Sequence, residues 1–294
     1  MRAQVSLIPT ESKKLIAKAV ANMDEVKTAI KEGIIVMHPS SSTVFLAEEI
    51  TGSVPDTDVW MCGANLPKAA CGEAGTREFM RARSGGGAPS GDGIGQFPLS
   101  WVIRAGKLNQ GESLASLFAE MGPKDVYVKG VNAIDPQGKA AVLIGNRVEG
   151  GTIGRVMQAQ RQKGFNIIYP TGLEKLIPIS VEEAAEEAKK RASLDYSMGM
   201  PCSLLPCEGK VVTELKAIEI LSGATAVPIS AGGVAGAEGG ITLVIYGEDD
   251  QVEKAIAYVE GVKGTKMPRE IRQNDCADCD TEICSLYGMK KHWI

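Results

Sequence analysis

The chain has 294 residues, of which 44% are hydrophobic and 23% are charged, and its net charge is −4. This length is typical of roughly two globular domains, whereas the lack of a basic run and an aromatic content of 5% argue against a nucleic-acid-binding protein. No apolar run reaches the roughly 18 residues that a membrane span needs, so we expect no membrane partner.

The first half of the chain predicts helices that alternate with buried strands. Two helices begin near Thr10 and Asp24, and Gly33 ends the second of them. The apolar run Ile34–Met37 predicts a short buried strand, and Thr43–Thr51 has apolar residues at helical spacing. Further strands are predicted at 59–62, 101–105, 126–128, 141–144 and 166–169, with helices at 114–121 and 153–163. This alternation predicts an α/β fold with a mostly parallel sheet covered by helices on both faces.

The last third of the chain changes its pattern after a charged helix at 181–192. Strands at 201–207, 224–230, 241–246 and near Thr265, with helices at 211–221 and 251–259, follow in the order β-α-β-β-α-β. This order predicts a smaller ferredoxin-like α+β domain. We therefore divide the chain into an α/β domain at 1–196, the ferredoxin-like domain at 197–268 and a cysteine-rich tail at 269–294.

Between the first buried strand and the third helix lies a run of hydroxyl residues, Ser40, Ser41, Ser42 and Thr43. The first turn of a helix exposes unpaired backbone N–H groups and a partial positive charge, and such a junction binds anions, above all phosphate. The alternative is that Ser42 only caps the helix. His38 precedes it at the carboxyl end of the strand, where open α/β sheets bind their ligands. This histidine is either a general acid or base or a partly buried spacer.

The order helix, helix, strand, hydroxyl-rich loop and helix resembles the opening of the ribose-5-phosphate isomerase, glucosamine-6-phosphate deaminase and CoA-transferase superfamily. A second stretch, KGVNAIDPQGKAAVLIGNRVEGGTIG at 129–154, is similar to its lactate-utilisation branch in the spacing of Gly130, Asn132, Asp135 and Gly138. The resemblance implies this superfamily's fold for the 1–196 domain. It also implies that the serine loop, with Gly130 and Asn132, binds a phosphate or an equivalent polar group.

Within the second stretch, EGGTIG matches the glutamate-x-Gly-x-x-Gly pattern of one CoA-transferase subunit type. There the resemblance implies that Glu149 attacks a CoA thioester and that the glycines, Gly151 among them, let backbone amides approach the oxyanion. The alternative is a glycine-rich turn into the helix at 153–163, with Glu149 at its positive end. Asp135 is likewise either a general base or, because Pro-Gln-Gly follows it, a turn residue.

The tail CADCDTEICSLYGMKKHWI places Cys276, Cys279 and Cys284 at C-x2-C-x4-C spacing. The first residues show no signal peptide, so we expect a cytoplasmic protein with reduced thiols. The spacing of the three cysteines lets their thiolates meet on one metal. His292 as fourth ligand suits zinc. An iron–sulfur cluster is suited if the fourth ligand comes from a substrate or from Cys202, Cys207 or Cys62. The alternative is a set of reduced surface thiols.

Two functions follow from these motifs. The first is an isomerase- or transferase-like enzyme, expected to be a homo-oligomer, that binds a small phosphorylated or CoA-linked metabolite. The second is a regulatory protein whose α/β part senses a small anionic ligand while a metal ion or iron–sulfur cluster in the tail reports on it. A metal analysis with an absorption spectrum discriminates between them.

Overall fold

A computed structural model describes residues 1–55, 64–72, 74–75, 78, 100–145, 150–268, 271–277, 279 and 284–289, which form a mixed α/β structure. Their helices are α1 (Pro9–Ala21), α2 (Asp24–Glu32), α3 (Thr43–Thr51), α4 (Leu114–Glu120), α5 (Gly151–Lys163), α6 (Val181–Lys189), α7 (Glu214–Ser222) and α8 (Asp249–Glu260). Their strands are β1 (Arg2–Leu7), β2 (Ile34–Met37), β3 (Ala64–Asn65), β4 (Ala70–Cys71), β5 (Trp101–Arg104), β6 (Lys107–Gln110), β7 (Val126–Val128), β8 (Ala133–Ile134), β9 (Ala140–Ile144), β10 (Asn166–Pro170), β11 (Ser203–Cys207), β12 (Lys210–Val212), β13 (Thr225–Ala231) and β14 (Ile241–Tyr246). None of these helices is long and apolar enough to cross a membrane.

The main sheet has six strands in the order β12-β10-β7-β2-β5-β6. Strands β12, β10, β7 and β2 run parallel, whereas β5 runs antiparallel to β2 and forms a hairpin with β6. The predicted α/β class is confirmed, as are the strands predicted at 101–105, 126–128, 141–144 and 166–169, to within one residue at each end. The strand predicted at 59–62 lies outside the described residues.

Helices cover both faces of this sheet, because successive side chains of a strand point to opposite faces. In β2, Ile35 and Met37 belong to a buried cluster with residues of α1 and α3. Ile34 and Val36 belong to a second buried cluster with residues of α4 and α5. The strand is therefore apolar throughout, as expected for a central parallel strand.

The C-terminal strands pair differently from the predicted ferredoxin-like sheet, so that prediction was wrong. Strand β14 lies between β13 and the N-terminal strand β1, while β11 and β12 pair with β9 and β10. Strand β1, which the sequence did not predict, takes this place because Val5 and Leu7 register with two apolar residues of β14, Leu243 and Ile241. Thr265 lies in a turn, where its N–H donates to the Val262 carbonyl, and not in a strand.

A small antiparallel sheet, in the order β11-β9-β8, packs against α6. It follows the carboxyl end of β7 in the chain, and its last strand, β11, ends at Cys207 immediately before β12. Strands from both sides of the predicted boundary at 196/197 therefore pair with one another. The boundaries at 196/197 and 268/269 themselves stay predictions.

Candidate functional site

Titratable side chains follow each of the four parallel strands of the main sheet at its carboxyl end. These residues are His38 after β2, Lys129 after β7, Glu174 and Lys175 after β10, and Glu214 after β12. Because the carboxyl ends of parallel strands meet at one edge, the fold gathers these groups from four distant parts of the sequence. The chain leaves β2 towards β5 on one side and leaves β7 towards β10 on the other. The edge between β2 and β7 is thus a topological switch point, where open α/β sheets bind their ligands.

His38 is one of the buried polar residues at this switch point, with 5% of its surface exposed. Its backbone N–H donates to the Val128 carbonyl (2.9 Å), which continues the pairing of β2 with β7. Within the described residues its Nδ1 is buried and has no hydrogen-bond partner. Burial, and secondarily the charge of Lys129, holds the pKa of His38 well below its usual value. The imidazole is therefore neutral at physiological pH, with an unsatisfied polar atom.

Lys129 lies beside His38 on the next strand and is 9% exposed. Burial lowers its pKa to about 7, a change that nearby Cys207 opposes and that the charge of Lys175 reinforces. No carboxylate among the described residues pairs with this ammonium group. A buried cation without a counter-ion is costly, so the site is suited to an anion that comes from outside.

The loop after β10 brings a second group of charges to the same edge. Lys175 Nζ donates to the Val131 carbonyl at 2.7 Å, and burial lowers the pKa of this lysine to about 8. Both carboxylate oxygens of Glu174 are buried without a hydrogen-bond partner in the described part of the chain, and Lys13 Nζ lies 3.9 Å from one of them. The Glu174 carboxylate thus adds a buried acceptor without a hydrogen bond to this edge, whereas Lys175 is bonded to a backbone carbonyl.

Glu214 completes the edge at the start of α7. It accepts a hydrogen bond from the Leu173 N–H at 2.9 Å, and burial raises its pKa to about 7. Gly172 makes room for it, because a Cβ atom there would lie 1.8 Å from a Glu174 carboxylate oxygen and 3.0 Å from one of Glu214. The two carboxylates therefore lie against Gly172, where a larger side chain would displace the Glu174 carboxylate.

The hydroxyl run organises its own loop. Ser40 Oγ accepts hydrogen bonds from the backbone N–H groups of Ser42 (3.3 Å) and Thr43 (3.2 Å), and Thr43 Oγ1 donates to the His38 carbonyl (2.7 Å). Ser42 is the N-cap of α3, but its side chain makes no capping hydrogen bond, in contrast to the capping alternative. The bonds of Ser40 and Thr43 fix the backbone next to His38. A Cβ atom on Gly130 would lie 3.2 Å from Ser40 Oγ and 3.9 Å from Ser42 Oγ. The loop and Gly130 are therefore close neighbours, and their binding of a phosphate stays a prediction.

Asp135 and Asn132 have structural contacts in the small sheet. Asp135 accepts backbone hydrogen bonds from Gln137 (3.0 Å), Lys139 (2.9 Å) and Val181 (3.2 Å). Burial raises its pKa, but these bonds outweigh burial and the net pKa is lowered. Asn132 Oδ1 accepts from the Leu143 N–H at 3.0 Å. This geometry matches the turn interpretation of Asp135, and a general-base role stays a prediction without a structural observation in its favour.

The CoA-transferase pattern lies only partly within the described residues. Glu149 is outside them, so its role as a nucleophile stays a prediction. Gly151 is the first residue of α5, and both it and the preceding Gly150 have left-handed φ angles of +64° and +71°. These angles favour glycine, so the local fold by itself explains the glycine pair.

The candidate cysteine ligands lie in different parts of the structure. Cys276, Cys279 and Cys284 line a single cavity, and their convergence on one metal stays a prediction. Cys207 lies at the sheet edge near Lys129, and the Cys202 thiol is close to its own local backbone, 3.1 Å from the Met200 carbonyl. The other two candidate ligands, Cys62 and His292, lie outside the described residues.

Four residues of the site were not predicted from the sequence: Lys129, Glu174, Lys175 and Glu214. Each follows a parallel strand within a few residues, and this position is the signal that could have found them. A charged residue after an apolar strand usually marks the point where the chain reaches solvent, and only the fold shows that Lys129 and Glu214 are buried there.

A different cavity, of about 310 Å³, lies on the surface between α4 and α5. Its lining combines apolar and uncharged polar side chains with Arg155, and among the described residues it contains no histidine, cysteine or carboxylate. We therefore place the candidate site at the sheet edge, where titratable groups are buried together.

Comparison with known proteins adds no relative, because no family model and no curated sequence matches the chain. The resemblance to the isomerase and CoA-transferase superfamily stays a hypothesis based on short motifs. Function has to be inferred from the chemistry of the site, since a fold alone does not specify it.

Proposed function

We propose that the protein binds a small anionic metabolite, phosphorylated or CoA-linked, at the edge between β2 and β7. The observation that carries this proposal is the pair of Lys129 and His38. Lys129 is a buried amine for which no described carboxylate provides a counter-charge, and His38 Nδ1 is a buried polar atom without a partner. An anion at this point supplies the charge that Lys129 lacks and hydrogen bonds for both groups.

We further propose acid–base chemistry of the isomerase type on the bound metabolite. A lysine with a pKa of about 7 exists as both amine and ammonium at physiological pH. Glu214, with a pKa of about 7, likewise exists as both carboxylate and carboxylic acid. General acids and bases work best when the pKa lies near the operating pH. A transferase reaction through Glu149 is the alternative, and it rests on the sequence motif alone.

Binding is tested by calorimetry with a panel of sugar phosphates, acyl-CoA compounds and inorganic phosphate. We expect Lys129→Met to weaken the tightest of these by roughly 10-fold or more, because a hydrogen bond to a charged group contributes about 1.5–3 kcal/mol. Lys107→Met is the matched control, since Lys107 is an exposed residue of β6. Equal affinities for the two variants, with circular dichroism showing both folded, would overturn the proposal.

Catalysis is tested separately from binding. Each metabolite that binds is incubated with the protein in D₂O, and deuterium incorporation at carbon is followed by NMR. Proton transfer by an isomerase-type enzyme incorporates solvent deuterium, and Glu214→Gln should slow it. Binding without incorporation or product, for every ligand of the panel, would contradict isomerase-type catalysis and favour the sensing function.

A further inference from the structure

Four cysteines from two distant parts of the sequence line one cavity of about 170 Å³. Three of them, Cys276, Cys279 and Cys284, belong to the tail, and the fourth is Cys71 at the end of β4. The sequence pattern gave no reason to select Cys71. The fold adds it, because β4 and the tail both pack against the segment 197–200.

Backbone hydrogen bonds hold the three segments together. The Met200 N–H donates to the Ala70 carbonyl at 2.8 Å, and the Ser285 N–H donates to the Ser197 carbonyl at 3.1 Å. Within the tail, the Gly288 N–H donates to the Cys276 carbonyl at 3.2 Å. The cysteines are therefore positioned by a network of main-chain contacts, in contrast to the surface thiols of the alternative interpretation.

The Cys284 sulfur accepts hydrogen bonds from two backbone N–H groups, those of Gly199 (3.2 Å) and Leu286 (3.3 Å). Hydrogen bonds from backbone N–H groups to cysteine sulfurs are among the contacts that tune iron–sulfur clusters. Gly199 is required for this approach. Its φ is +82°, and a Cβ atom there would lie 2.2 Å from the Ala70 carbonyl oxygen. The glycine thus brings an amide to the cysteine where any other residue collides with β4.

We propose that Cys71, Cys276, Cys279 and Cys284 bind an iron–sulfur cluster. Four thiolates suit either one zinc ion or a cluster. The four cysteines line a cavity of about 170 Å³, and two backbone N–H groups donate to the Cys284 sulfur. Such hydrogen bonds to cysteine sulfurs are typical of iron–sulfur sites, so they favour the cluster.

The test is made on the full-length protein purified without oxygen. We expect iron and acid-labile sulfide in equal amounts, a broad visible charge-transfer absorption, and an electron paramagnetic resonance signal on reduction with dithionite. Stoichiometric zinc without sulfide, or no metal after anaerobic reconstitution with iron and sulfide, would overturn the proposal. None of these measurements involves an anionic ligand, so their result is independent of the function proposed above.

The assignment of Cys71 is tested by a matched pair of variants. We expect Cys71→Ser to lose iron or change the resonance spectrum, as Cys276→Ser does, whereas Cys202→Ser keeps the wild-type iron content and spectrum. A Cys71→Ser protein identical to wild type would remove Cys71 from the site. If that variant does not fold, alkylation of the wild type decides. Cys71 should then be protected in the loaded protein and react after chelators remove the iron, and equal reactivity in both states contradicts its role as a ligand.

Discussion

His38 and Lys129 lie side by side at the carboxyl ends of β2 and β7, both buried and both with a lowered pKa. Burial is the main cause for each, and the charge of Lys129 also lowers the pKa of His38. Burial favours the neutral form of both basic groups. Their position is explained if they bind an anion, which would favour the charged form of Lys129.

His38 is expected to stay neutral far below the pH at which an ordinary histidine becomes protonated. Its folded pKa is lowered, so its contribution to stability is present above pH 6.5 and is lost as the pH falls below that value. Side-chain ¹⁵N NMR measures this directly, because the chain has only two histidines and His292→Gln assigns the signals. A His38 that titrates near pH 6.5 would contradict the burial described above.

Lys129→Met should change how stability depends on pH. The folded lysine has a pKa of about 7 while the unfolded one has the usual 10.5, so the unfolded chain binds more protons between these values. Wild-type stability therefore rises with pH in this window, relative to the variant, by about 1.4 kcal/mol per pH unit. Urea unfolding from pH 7 to 10 checks the difference, with Lys107→Met as control. Parallel curves for wild type and Lys129→Met would show that Lys129 is not buried as described.

The helices and central strands of the α/β part could be predicted because each has a local signal. The run Ile34–Met37 is apolar throughout, and Asp24 and Gly33 mark the limits of α2. Strand β1 could not be predicted in this way, because it forms by pairing with β14, which lies at the other end of the chain. The same limit applies to the site. His38 was predicted from its position after a strand, whereas Lys129 and Cys71 acquire their roles from neighbours that are distant in the sequence.

Asp135 is expected to be a stability residue. Asp135→Ala leaves three backbone N–H groups without their acceptor, which should cost about 2–3 kcal/mol of unfolding free energy. Glu219→Ala, which removes a carboxylate that is 59% exposed, should cost much less. Urea unfolding compares the two variants. An Asp135→Ala protein with unchanged stability but no turnover would instead support the general-base interpretation.

Ser40 and Ser41 test whether the hydroxyl run organises its own loop. Ser40→Ala removes the acceptor of two backbone N–H groups at the start of α3 and should cost about 1 kcal/mol of stability. Ser41→Ala should cost less, because no side-chain hydrogen bond of Ser41 is found within the described residues. Thermal unfolding of both variants gives the comparison. A larger loss for Ser41→Ala would show that the loop is held together differently.

The pH dependence of sulfate affinity tests the central claim most directly. Sulfate is a suitable probe because, unlike phosphate, it keeps its charge from pH 6 to 9, so only the protein titrates. An anion beside Lys129 raises the pKa of this lysine above its free value of about 7, and binding then takes up a proton. Calorimetry should show an affinity that is constant below pH 7 and falls by up to about tenfold per pH unit above it. In Lys129→Met the affinity should be weak at every pH. A wild-type affinity that does not change with pH, and that Lys129→Met retains, would contradict an anion site at Lys129.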